Sequence, residues 1–172
     1  MTACPVDTHR EALLWAFNLL ELVMADVSQD QAHWSPPGIA NPIGATYAHA
    51  VCEMDALVKM LAGKPILFET SWAEKTGISE PRLNQDFEWV RRVEVDLDLA
   101  REYARAVYHH TDEALAELSP ADLEREIDLT ANGLGVQTIG WCLSALVTGH
   151  LHNMAGEISA LKELQGSKGY PF

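Results

Sequence analysis

The chain is poor in the residues that would mark several common functional classes. Its 172 residues hold three cysteines, Cys4, Cys52 and Cys142, an odd number without CxxC spacing. That excludes a disulfide scaffold and a zinc knuckle, and predicts Cys52 and Cys142 to be reduced, buried small hydrophobes within helices. Basic residues are few: 12 Lys and Arg stand against 25 Asp and Glu, a formal net charge of −13. Such a surface repels phosphate backbones and anionic headgroups, so neither nucleic acid nor membrane is expected as a partner. No apolar run reaches the length of a membrane span. Met1 to Pro5 carries neither a basic start nor an apolar h-region, which predicts no secretory signal and a cytoplasmic compartment. A nucleophile elbow, HExxH, P-loop and GxGxxG are all lacking, and Cys142 and His150 stand two turns apart on one helix, too far for a thiolate dyad.

What the chain does have is helical periodicity. Hydrophobic residues make up 48% of it, enough for a packed core, and the length suits a single domain over residues 1–172. Leu13, Phe17, Leu20, Val23, Met24 and Val27 predict a helix over 8–28. Two prolines and a glycine in QDQAHWSPPGIANP break it. Asn41 as cap and Pro42 as first residue open a second helix, carrying the seam Ile43, Tyr47, Ala50, Met54, Leu57, Leu61 to about Ala62, with Gly63 as its stop. Residues 65–85 read as a long irregular connection, with a brief turn of helix at Trp72 to Lys75 capped by Ser71 and ended by Gly77 and Pro81. A third long helix is expected over 86–117, broken near Glu94 to Asp96. SPADLEREI and DLTANGLGVQT then predict a short turn and a short extended piece.

Thr138 to Gln165 is an uninterrupted stretch, long enough for about seven turns. Its apolar stripe runs Ile139, Leu143, Leu146, Met154, Leu161, Leu164, and His150 falls on that stripe. Gly149, Gly156 and Ser159 form a small-residue strip beside His152, predicting close approach by another helix or a second subunit. The tail GSKGYPF is read as either fraying or folding back. The fold class that follows is all-α: an antiparallel four-helix bundle with short accessory helices and a long connection after helix two. That connection leaves room for one crossover.

His49 and His150 lie at the core seams of two different helices, where bundles build interior sites. Neutral imidazole is a common ligand for transition metals, so the pair is a candidate centre. The competing reading is two separately buried histidines that never meet. Met154, four residues beyond His150, is a soft thioether or plain core filler. Glu53, one turn from His49, and Glu157, seven residues from His150, are candidate ligands or acceptors for them, or solvated acids. His152 points away from His150. Of His109 and His110 at most one faces inward, while His9 and His33 are expected to be exposed.

The segments NPIGATYAHA at 41–50, FETSWAEKTGIS at 68–79 and GHLHNMAGEISALKELQGSKGYPF at 149–172 resemble the DinB-like superfamily of four-helix bundles. The resemblance implies a divalent transition metal, zinc or nickel, held by a histidine on the second helix and an H-x-x-x-H pair on the last. His49 and His150 match the first two positions; Met154 stands at the third. It further implies a metal-dependent enzyme akin to thiol-dependent S-transferases, a mycothiol-dependent isomerase or hydrolases, with a small-molecule thiol as partner and a homodimer as assembly. The alternative, favoured by Met154, is a metal-free bundle that binds a small apolar ligand or serves as a dimeric interaction module.

Overall fold

A computed structural model describes residues 4–82 and 86–172. The first residues of the chain and the last three of the expected irregular connection, 83–85, lie outside it. Four long helical rods make the body: α1 (Pro5–Met24), α3 (Ile43–Ala62), α5 (Leu97–Ala116), and a last rod comprising α6 (Ile139–Cys142), a wide turn at Leu143–Thr148 and α7 (Gly149–Leu164). Two short helices, α2 (Gln29–His33) and α4 (Phe87–Arg92), lie in the connections, and a small antiparallel hairpin pairs β1 (Glu126–Leu129) with β2 (Gly135–Thr138).

Local chemistry sets most of these boundaries. Pro5 sits in the first turn of α1, where its missing N–H costs nothing. Ser28 and Gln31 form a reciprocal capping box on α2. Asp86 caps α4 and Asp96 caps α5, each accepting from backbone N–H groups. Helix α3 ends at Gly63, which takes the left-handed conformation (φ 69°). Pro42, rather than Asn41, is the residue that caps α3, and it does so without a side-chain bond. The expected turn of helix at Trp72 to Lys75 is non-helical turn; a single 3-10 turn forms earlier, at Leu67–Glu69.

Side-chain bonds fix the direction of each rod. Arg10 pairs with Asp112 and Arg101 donates to the Met24 carbonyl, so α1 and α5 run antiparallel. Asp55 meets Tyr103 and Lys64 meets Glu117, so α3 and α5 run parallel. Gly140 lies against His9 and Lys162 against Val23, so the last rod runs parallel to α1. The bundle is therefore up-down-down-up. Parallel neighbours cannot be joined by a tight turn, and this is why the chain between Ala62 and Leu97 is long: it must travel back along the bundle.

That connection folds over the outer side of α3. In consequence α3 is buried nearly all round, Ala45, Cys52 and Ala56 as well as Tyr47, Val51, Met54 and Leu61. Asp55 ties the connection down. It is wholly buried and accepts from the Leu67 and Phe68 N–H groups at 2.9 and 3.0 Å and from the Tyr103 hydroxyl at 2.6 Å. Farther on, Gly77 (φ 70°) packs so tightly on the start of α5 that a Cβ there would meet the Ala100 nitrogen at 2.6 Å. On the other side Gln29 and His33 of α2 clip the backbone of Val95 to Leu97: the Gln29 amide bonds both the Val95 carbonyl and the Leu97 N–H, and His33 Nε2 accepts from the Val95 N–H.

The C-terminal tail folds back. Tyr170 is half-buried, its hydroxyl 3.6 Å from where a Cβ on Gly156 would sit. The small-residue strip thus receives the chain's own tail. At Gly149 the close neighbour is the Ser144 carbonyl of the same rod, 3.0 Å from a Cβ built there. Leu164, expected in the stripe, is 64% exposed, because Leu161 and Lys162 take the buried positions of that turn.

Candidate functional site

The two histidines singled out by the sequence meet. The ring centroids of His49, from the middle of α3, and His150, from the second position of α7, are 4.8 Å apart with planes at 83°. An edge-to-face approach of two imidazoles sets rings from two antiparallel helices against each other at the α3–α7 junction. Their side chains are half-buried, whereas the neighbouring Leu151 and Ala50 are fully buried. The pair therefore lies at the margin of the core.

The electrostatics of the pair differ from those of an ordinary core histidine. His150 Nε2 is buried and has no hydrogen-bond partner among the described residues. Buried polar atoms are nearly always satisfied, and one that is not calls for an explanation. Burial, reinforced by the adjacent His49 ring, pushes the His150 imidazole down to about 4. At neutral pH this ring is uncharged, the form that offers a lone pair to a ligand.

The remaining expected ligands do not gather round the pair to the same degree. Met154 is buried on α7, 9% exposed. Glu53 is half-buried and Glu157 is exposed. Among the described residues no group of three or more His, Cys, Asp or Glu side chains lies close enough to hold a metal ion, so Glu53 and Glu157 do not join the two rings as a third ligand. In donor chemistry the pair fits two positions of a divalent transition ion: two imidazoles, that of His150 neutral with its Nε2 unpartnered. The further positions would fall to Met154 sulfur, water or a bound small molecule.

Several other histidines and the buried cysteines have structural explanations, while the buried hydroxyls of Thr46, Thr111 and Ser159 share with His150 the lack of a hydrogen-bond partner among the described residues. His110 Nε2 donates to the Pro65 carbonyl at 2.9 Å, and His109 packs edge-on against Tyr108. His33 is exposed but is committed to the Val95 N–H. Cys52 and Cys142 are free and buried, and burial pushes the Cys52 thiol up to about 12, which leaves it inert as a nucleophile. A wide surface groove of about 1030 Å³ lies elsewhere, lined by Gln29, His33, Glu74, Glu94, Asp96 and Leu99 among others. It is broad and open, and the orphaned imidazole is not part of its lining.

Two features escaped the sequence reading. The first is Asp55, whose three bonds come from the connection after α3 and from α5. The second is the wide turn before His150. Its signal is present, since Ile139, Leu143, Val147, Leu151 and Ala155 are buried at every fourth residue, a longer repeat than an α-helix supports on one face.

No curated protein matches the sequence. Among solved structures, the crystal structure of a conserved protein from Enterococcus faecalis is similar over 95% of this chain and 98% of its own, with a TM-score of 0.79 at 19% identity. At that identity the likeness speaks for the fold, and it covers the whole bundle. No helix among the described residues is long and apolar enough to cross a membrane. A profile of the DinB superfamily matches residues 9–155, spanning α1, both histidines and the start of the tail-bearing helix, and the chain belongs to that superfamily.

Proposed function

We propose that the α3–α7 junction binds a divalent transition metal, zinc or nickel, through His49 and His150, and that the protein is a metal-dependent enzyme acting with a small-molecule thiol or water, as a transferase or hydrolase. The observation that carries this reading is the buried, unpartnered Nε2 of His150 on a ring that lies 4.8 Å, between centroids, from the His49 ring. Such an ion, when bound, supplies Lewis acidity toward a thiol or water. The chain's own residues do the rest. His150, neutral because it is buried, donates a lone pair without first losing a proton. His49, on a helix packed on every side, holds the second donor in a fixed direction. Leu151 and Met154, both buried on α7, keep the core beside His150 apolar. With only two imidazoles, more positions stay open to substrate than in a three-histidine centre. The test is metal content of the purified protein after growth with zinc or nickel. One equivalent in the wild type, lost in both His49→Ala and His150→Ala, supports the proposal; equal content in all three contradicts it.

A second reading rests on Met154 and on the want, among the described residues, of a third His, Cys, Asp or Glu beside the pair. Here the half-buried pair binds a small apolar molecule bearing one hydrogen-bond donor for His150 Nε2, with no metal. Thermal stability indifferent to zinc, nickel and chelator separates this reading from the first. Assembly as a homodimer is carried by the family resemblance, and sedimentation velocity tests it.

A further inference from the structure

The last rod holds a device that bears directly on the histidine pair. An α-helix turns about 100° per residue, so buried positions recurring every fourth residue drift about 40° per step. Over the steps from Ile139 to Ala155 that drift is roughly 160°, wider than one apolar face allows. Yet every member of the series is buried. The chain resolves the conflict at Leu143–Thr148, where the helix winds wide with i→i+5 bonding; one added residue in a turn takes back about 100°.

At its C-terminal end the wide turn closes on a bond from Gly149. The Gly149 N–H donates to the Ser144 carbonyl, five residues earlier. A Cβ at position 149 would stand 3.0 Å from that same oxygen, closer than side-chain carbons normally approach a carbonyl. Glycine therefore lets the turn close, and the next residue is His150. Gly156, on the same helix, has only an ordinary 3.6 Å neighbour, the Tyr170 hydroxyl.

We propose that Gly149 is a positioning residue of the two-histidine site: by closing the wide turn on the Ser144 carbonyl it sets the base from which the His150 ring reaches His49. This rests on the reading of that pair as a binding site, and it assigns a purpose to a glycine that otherwise only weakens a helix. Small displacements of a ligand are costly in such sites, and loss of a supporting contact typically weakens metal affinity about 10- to 100-fold.

Nuclear magnetic resonance tests it in the wild type and in two variants. In the wild type, a through-hydrogen-bond coupling must link the Gly149 amide to the Ser144 carbonyl; coupling to Ala145 instead overturns the proposal. In Gly149→Ala the ring-to-ring Overhauser contact between His49 and His150 is expected to vanish and zinc affinity to fall about tenfold or more. Gly156→Ala is expected to keep both. Retention of ring contact and zinc affinity in Gly149→Ala overturns the positioning role. So does failure of Gly149→Ala to fold while Gly156→Ala folds, since the glycine would then serve the fold alone. If the wild type takes no zinc, the functional reading falls by itself, and the ring contact in Gly149→Ala still decides this one.

Discussion

Among the polar groups that helix α3 carries inward, Asp55 and His49 are treated in opposite ways. Asp55 is fully buried and surrounded by donors, two backbone N–H groups and the Tyr103 hydroxyl. His49 is half-buried and faces a ring whose Nε2 has no partner. Both would be expensive to bury alone. The first is compensated by bonds within the fold and so acts as a latch. The His49–His150 pair leaves the His150 Nε2 uncompensated at the margin of the core, where an outside group can reach it. Saturation, more than burial, separates the structural polar group from the candidate site.

That contrast can be broken most forcefully at the latch. Asp55→Ala leaves three buried donors unsatisfied and is expected to cost about 3–5 kcal/mol in urea denaturation, whereas Asp55→Asn should cost less and leave zinc binding unchanged. A small effect of Asp55→Ala would mean the connection is held by its apolar contacts alone.

The site side responds to pH. The folded His150 sits at about 4, below its unfolded value near 6.5. Above roughly pH 6.5 neither state holds the proton and stability is complete. As pH falls through that value the unfolded chain takes up the proton first, so stability declines until about pH 4, where the folded ring is protonated too. The expected loss is about 2 kcal/mol across this window, after allowance for partial exposure, and it should be absent in His150→Leu. An equal slope in that variant would assign it to other groups.

A third imidazole sharpens the comparison. Met154→His places a nitrogen donor one turn beyond His150, and zinc affinity should rise about tenfold or more by calorimetry if position 154 faces the pair. No gain would place the side chain at 154 outside the site. The smallest effect is the most diagnostic in sign. His150→Leu removes an unsatisfied buried nitrogen and should stabilise the apo protein by about 1 kcal/mol, opposite to the Asp55 variants. Destabilisation would show that His150 is a satisfied core residue.

The sequence revealed what local chemistry decides. Gly63 ended α3 as its stop signal predicted, the break before α5 fell at Val93 to Asp96, and the histidines stood out because His150 falls on an apolar stripe and His49 flanks another. Direction was not legible: up-down-down-up emerges from pairs such as Arg10 with Asp112 and Asp55 with Tyr103, which no periodicity encodes. Asp55 went unnoticed because two of its donors lie in the irregular connection and the third, Tyr103, on α5. The small-residue strip was expected to meet another helix or subunit, but Tyr170 of the tail and the Ser144 carbonyl occupy it. The wide turn blurred the stripe as well, moving burial from Leu146 and Leu164 to Val147 and Lys162.

The account turns on one point, that the His49–His150 junction receives a ligand from outside the chain. Titrating zinc into protein labelled with 15N at its seven histidines tests it directly. The ring resonances of His49 and His150 should move together and saturate at one equivalent while those of His33, His109 and His110 stay in place. Movement confined to the surface histidines, or none at all up to excess metal, would contradict a metal centre at the junction.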